Sequence, residues 1–393
     1  MSVLNGVRVL DFGKYIAGPF CAALLGDFGA DVIRIDRIGG SDDRFIMPVT
    51  AQGEGALYLQ SNRNKRSIAL DIESVQGRAV VKRMVQKADV VIANMPPQSL
   101  VSLEMDYLSL VKIKPDIILT ASTAFGTHLE DRGRVGFDGV GQAISGLVHM
   151  GGLPDHPMKA MVPVIDFSTA LACALGTVMA LMERKVSGKG QEVSASLLKT
   201  GLNLCNGLLI EEALLHLDRQ ATLNRSPYYA PSDIYQMKDG WIIVQVIGPA
   251  MFRRWAKMIG RPEFIDDHRF NDDKSRGQHG EFLSQVMSQW CQNLMMDEAL
   301  KILEKSRIPA GPVQSPKQVL EEQSSRALNG FTWMSYPGVD GSVPIAVTPV
   351  NLSRTPPSIS LRAPLVGEHT DEILMEFGYS MRQINEMRHA KVI

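Results

Sequence analysis

The sequence predicts an α/β protein with a Rossmann-like, parallel-sheet large domain and a smaller α+β domain. Three observations carry that reading. Short apolar strands alternate with helical stretches from Val7 to Ala121. The texture changes at Ser226, where two strands meet across a tight turn and amphipathic helices follow. Pro309-Ala310-Gly311-Pro312 then reads as a turn-rich hinge into a C-terminal segment.

Residues 7–11 (VRVLD) are a short apolar run ending in turn residues. Residues 19–28 (PFCAALLGDF) have helical spacing, with Pro19 near N1, where its missing N–H costs nothing. Residues 31–36 (DVIRID) are again strand-like, so the three make a βαβ unit, the signature of a parallel sheet. The alternation continues with a strand at 66–70, a helix at 77–87, a strand at 90–93, a helix at 108–113 and a strand at 117–121. A long apolar helix over 167–185 closes at Gly188, followed by a strand at 191–195 and a helix at 197–216. Residues 232–237 and 241–246 pair around the turn Lys238-Asp239-Gly240, and helices follow at 250–259, 280–289 and 296–306. The expected divisions are 1–225, 226–310 and 311–393.

A chain of 393 residues can bury ordinary cores without disulfides or metals. Hydrophobic residues make up 45% and charged residues 21%, which excludes a disordered chain and a charged coiled coil. The 41 basic and 42 acidic residues leave a net charge of −1, without the basic excess of a general nucleic-acid binder. Cys21, Cys173, Cys205 and Cys291 stand far apart with no CxxC, and no HExxH occurs. No metal site or disulfide framework is expected, and a reducing, cytoplasmic compartment is. No basic region precedes an apolar run at the N-terminus, so no signal peptide is expected. The most apolar stretch, 167–181, falls short of the ~20 residues that span a bilayer and reads as a buried helix.

Several positions invite a chemical reading. Asp36 ends the second strand, where a ribose-binding acid would sit, but no GxGxxG precedes it and the NAD reading fails. Arg63, Lys65 and Arg66, with Arg34, Arg37 and Arg44, make a basic cluster that suits either a phosphorylated ligand or a solvated face. Asp166 opens the long helix, where backbone N–H groups and the helix dipole would keep it ionised. Spacing alone makes it an N-cap; a buried carboxylate facing a pocket would be a nucleophile. Tyr228 and Tyr229 read as junction packing, and His369 as the cap of a terminal helix.

In order along the chain, the stretches LNGVRVLDFG, AGPF and LGDFGADVIRID (4–36), NRNKRSIALDI (62–72), ADVVIANMPP (88–97), FDGVGQAISGL (137–147), PVIDFSTA to SGKGQEVSASLL (163–198), IPAGPV (308–313) and LVGEHTDEIL with GYS (365–384) resemble the class III CoA-transferases. These are the carnitine- and formyl-CoA-transferase-like proteins, of CaiB/BaiF type. The resemblance implies an interlocked-ring homodimer whose large domain joins the N-terminal α/β part to the C-terminal segment. It implies CoA and acyl-CoA as substrates, a small carboxylic acid as the second substrate, and no permanently bound cofactor, nucleic acid or membrane. It places the nucleophile on Asp166, a CoA phosphate contact on Arg37, nucleotide-lining positions at Leu70 and Asn94, and backbone positions near the thioester at Ile16 and Ala17.

Two cations of the family pattern are missing: Ser102 and Val135 stand in their places, with Arg63, Arg66 or Arg134 as candidates to compensate. Ile16, where the formyl-CoA branch has Gln, and Gly248-Pro249, in place of a glycine-rich loop, speak against that branch, while residues 16–20 and Pro227-Tyr228-Tyr229-Ala230 resemble the carnitine-type branch more closely. An acyl-CoA racemase of the same superfamily would need a proton carrier where Phe137 stands, and a non-catalytic CoA-binding protein would have no need of Asp166.

Overall fold

The computed structural model describes residues 2–126, 134–322 and 330–393. Six strands form one sheet: β1 (Arg8–Asp11), β2 (Asp31–Asp36), β3 (Lys65–Ala69), β4 (Val90–Ala93), β5 (Ile118–Thr123) and β6 (Glu192–Ser196). Their order is 3-2-1-4-5-6, and every neighbouring pair is parallel. The chain winds one way from β1 to β3 and the other way from β4 to β6. The switch point therefore lies between β1 and β4, where open α/β sheets bind ligands beyond the strands' carboxyl ends.

Both faces of the sheet are covered, as parallel sheets require. Val9, Val32, Val90, Ile92 and Ile118 face a core closed by the helices Ala17–Asp27 and Val164–Ser187. Leu10, Ile33, Ile68, Val91 and Leu119 face the opposite core, closed by Val75–Val85 and by the terminal helices Thr370–Glu376 and Met381–His389. The terminal helices deliver Ile373, Leu374, Phe377, Ile384 and Met387 to it. His369 precedes Thr370–Glu376 without capping it; its ring Nδ1 accepts the Ser67 backbone N–H of β3 at 3.2 Å.

The long helix Val164–Ser187 has 24 residues, more than the apolar run at 167–181, and it closes at left-handed Gly188 (φ 72°). It is the one helix among the described residues long and apolar enough to cross a membrane, with a mean hydropathy of 1.8. One face buries Ile165, Ala170, Cys173, Ala180 and Leu181, while Leu171, Leu175, Met179, Met182 and Val186 are exposed.

Two compact units emerge among the described residues. The first contains 2–126, 134–145, 161–207 and 330–393; the second contains 146–160 and 208–322. The second is built on an antiparallel sheet of Ser232–Gln236, Trp241–Gln245 and Ala310–Pro312, packed on Phe252, Trp255, Phe264 and Leu283. The expected hinge at 309–312 is thus an edge strand. The Val313 N–H donates to the Trp241 carbonyl at 2.8 Å and the Gln245 N–H to the Pro309 carbonyl at 3.1 Å. Proline is tolerated there because an edge strand needs donors on one side only.

Candidate active site

The basic residues around β2 and β3 are turned inward. Arg34 meets Asp36 at 2.9 Å and Asp43 at 3.0 Å, Arg44 meets Asp36 at 2.8 Å, Arg63 meets Asp27 at 2.6 Å and Lys65 meets Asp11 at 2.7 Å, all buried. Arg66 is shared by Asp31, Glu372 and Glu376. Apart from Arg37, the cluster is therefore neither a phosphate cradle nor a solvated face. A buried cation persists only when paired, and each of these is. Burial opposes the charge on Asp36, but Arg34 and Arg44 outweigh it and hold the carboxyl below its ordinary range. Asp36 is an internal counter-ion, with no ribose to bind. Arg37, the next residue, is exposed and has no ion-pair partner among the described residues.

This buried network shapes the turn after β1. Lys65 Nζ donates to Asp11 Oδ2, to the Pro19 carbonyl at 2.8 Å and to Asn62 Oδ1 at 2.8 Å, which fills all three of its donors. Asp11 Oδ1 accepts the Gly13 N–H at 2.8 Å. From β4, Asn94 accepts the Lys14 N–H at 2.8 Å and donates to the Lys14 carbonyl at 2.7 Å. Gly13 and Gly18 touch face to face, since a Cβ on either would lie 2.9 Å from the other's Cα. Tyr15 follows in the left-handed region (φ 62°), its N–H on Asp43 at 3.2 Å.

The turn opens into a cavity of about 640 Å³ at the switch point. Ile16, Ala17, Arg37, Leu70, Asn94 and Asp166 all lie on its wall. Arg63 and Arg66 do not, being engaged elsewhere, so neither replaces the missing cations; Arg134 does line the cavity, its guanidinium 3.8 Å from the centre of the Phe125 ring. Phe137 also lines it, edge-on to Tyr15 with 5.2 Å between ring centres, and it offers no proton for racemisation. Among the described residues, no three His, Cys, Asp or Glu side chains are grouped to hold a metal.

Asp166 sits in the first turn of Val164–Ser187 but does not cap it. Asp138 does so from another helix, Asp138–Ile144. Its Oδ1 accepts the N–H of Ile165 at 2.7 Å and of Asp166 at 3.1 Å. Asp166 is 8% exposed, and no described hydrogen bond reaches its side-chain oxygens. Burial, and then the Asp138 charge, push its carboxyl up to about 7. The expectation from the helix start is an ionised carboxylate; desolvation and a like charge instead push the carboxyl above its ordinary range. Behind it, burial pushes the Cys173 thiol up to about 12, which leaves it protonated and unreactive at neutral pH. The separation of 28 positions between Asp138 and Asp166 hid their contact from the sequence; Tyr15 was equally unmarked.

Residues 4–370 match the profile of CoA-transferase family III. The chain is 31% identical to a succinyl-CoA–D-citramalate CoA-transferase of Chloroflexus aurantiacus, over 95% of this chain and 93% of that one. It is 30% identical to the human succinyl-CoA:glutarate CoA-transferase, over 99% and 90%. A crystal structure of a CaiB/BaiF family protein from Brucella suis superposes with a TM-score of 0.83 at 28% identity, covering 96% of this chain and 99% of that one.

The raised Asp166 carboxyl sets a pH dependence of stability. In the unfolded chain it ionises near 3.8, in the folded protein near 7. Between those values the folded state holds the extra proton, so this residue's contribution to stability is present below pH 4 and lost as pH rises to 7. Asp166→Asn should therefore be more stable than wild type at pH 8, on the order of a few kcal/mol, with the gain shrinking toward pH 5. Urea unfolding of both proteins at the two pH values measures this, and parallel curves would refute it.

Proposed function

Since the chain belongs to CoA-transferase family III and is an enzyme of that kind, we propose that it moves CoA from an acyl-CoA to a free carboxylic acid through covalent intermediates on Asp166. The observation that carries this reading is the place of Asp166: a buried carboxylate on the wall of the switch-point cavity.

In the first step an Asp166 oxygen attacks the thioester carbonyl. A C–O bond forms, the C–S bond breaks, and CoA leaves as thiolate with the electron pair, giving a mixed anhydride. The thiolate then attacks the aspartyl carbonyl and expels the original acid as its carboxylate, leaving an aspartyl-CoA thioester. The incoming carboxylate repeats the two exchanges in reverse and departs as the new acyl-CoA. No proton is gained or lost at any step, and each intermediate keeps the acyl group activated. Water would destroy both, so the apolar surroundings of Asp166 protect the chemistry as well as tuning it.

Arg37, exposed on the loop beyond β2, suits a CoA phosphate; Leu70 and Asn94 suit the nucleotide, and Ile16 and Ala17 the thioester end. The relatives' names supply the first substrates to try, succinyl-CoA with citramalate or glutarate, ahead of the carnitine-type acids that Ile16 suggested. The four buried, free cysteines suit a reducing cytoplasm. The exposed apolar face of Val164–Ser187 suits a homodimer.

Three outcomes are expected. Wild type mixed with succinyl-CoA and no acceptor acquires a hydroxylamine-sensitive adduct that peptide mass spectrometry maps to Asp166, while Asp166→Ala and Asp166→Asn each lose roughly 10⁴-fold or more in kcat. An active Asn variant would sink the mechanism. Arg37→Ala loses about 1.5–3 kcal/mol of CoA binding, roughly ten- to a hundredfold in Kd by calorimetry; unchanged affinity would remove Arg37 from the site. Sedimentation equilibrium reads twice the 43.2 kDa of one chain, and a monomer at micromolar concentration would contradict the dimer.

A further inference from the structure

We infer that Asp138 is a positioning residue for the transfer reaction: it holds the turn that carries Asp166 and sets beside it a negative charge whose repulsion is relieved whenever Asp166 is acylated. The inference rests on the reading of Asp166 as nucleophile.

The geometry begins with a gap in the helix. The residue at the N-cap of Val164–Ser187 is Pro163, which has no side-chain acceptor, so the first N–H groups of the helix need a partner from elsewhere. Asp138 Oδ1 takes two of them, on Ile165 and on Asp166 itself. Its Oδ2 accepts from Gln142 Nε2 one helical turn along. Both oxygens are thereby fixed. The helix Asp138–Ile144 is also held close: a Cβ on Gly141 would lie 3.1 Å from Ile165 and 3.3 Å from Leu197. The position of Asp166 is thus set through its own backbone.

A cap alone does not explain the residue type. Asn or Ser would accept the same N–H groups without placing a like charge beside a buried carboxylate. The charge has a consequence in the covalent cycle. Free Asp166 is negative and repelled by Asp138. In the mixed anhydride and in the aspartyl-CoA thioester, that charge has left with the thiolate or the displaced carboxylate. Asp138 therefore raises the free nucleophile in energy and leaves both intermediates unpenalised. Lys14, Tyr15, Arg37, Asp71, Glu73 and Arg134 share the cavity wall with the ion-paired Asp36, and Cys21 and Cys173 lie in the core; of these groups and Asp138, only Asp138 shifts the Asp166 carboxyl.

The test compares Asp138→Asn, which keeps the acceptor and removes the charge, with Asp138→Ala, which removes both. The rate of adduct formation from succinyl-CoA is followed against pH in a single turnover. Wild type should rise through an acid limb near pH 7. In Asp138→Asn the limb should move down by about one pH unit, the scale on which a neighbouring like charge acts. The fraction of enzyme held as adduct at equilibrium should fall severalfold. Asp138→Ala should in addition lose up to about a hundredfold in rate at pH 8, because its nucleophile is no longer held in place. The loss of stability between pH 5 and pH 8 should be smaller in Asp138→Asn than in wild type, a readout that needs no turnover. An Asp138→Asn protein with the wild-type acid limb and adduct fraction would overturn the inference, even with an adduct on Asp166. An adduct mapped to another residue would overturn the nucleophile reading and this inference with it.

Discussion

The buried contact between Lys65 and Asp11 is the constraint from which the candidate site follows. It lies at the floor of the switch point, ties β3 to β1, and leaves no donor of the ammonium idle. Burial drags the Lys65 ammonium down to about 8, yet Asp11 keeps it useful as a cation at neutral pH. Through Asp11 it holds Gly13, and through the Pro19 carbonyl it holds the start of the next helix. The turn between those points can then run tightly enough for two glycines to touch. Removing either partner would strand a charge in a dry interior, an error worth about 3–5 kcal/mol.

The same economy governs the rest of the charged residues on this face. Arg34, Arg44 and Arg63 look in sequence like a basic patch, and in space each is consumed by a carboxylate. Three cations line the cavity itself: Arg37 at the edge of the network, Lys14, and Arg134 beside Phe125. Asp166 is the opposite case, an acid in a dry place with no cation beside it among the described residues and another acid close by. The two halves of the cavity thus differ in kind. One offers a cation to an anionic ligand, and the other withholds compensation from a reactive carboxylate.

Much of this was legible in the sequence. The short runs VRVLD, DVIRID and IILTA alternate with helical stretches, and that alternation identifies a parallel sheet. Gly188 announced the end of the long helix. Ile16, Ala17, Arg37, Leu70, Asn94 and Asp166 were named from motif resemblance, and they share one wall because parallel strands present all their carboxyl ends on one edge. Long-range pairing was not legible. Nothing local to Arg63 reveals Asp27, and nothing local to Asp138 reveals the N–H groups of Ile165 and Asp166. The strand Ala310–Pro312 was hidden by its prolines, which read as a hinge until a neighbouring strand supplies the hydrogen bonds.

The packing of the terminal helices has a consequence for how the molecule is made. One face of the sheet is covered by residues 370–392, and β3 is tied at Ser67 to His369, 302 positions away. On a ribosome the strands emerge well before residues 370–392, their later partners on that face. Closure of so long a loop is entropically slow, and a nascent sheet with one apolar face only partly covered, by Val75–Val85, is the kind of species that associates wrongly. The cavity, whose Leu70 and Phe12 belong to that same core, takes its final form only after residues 370–392 have been made.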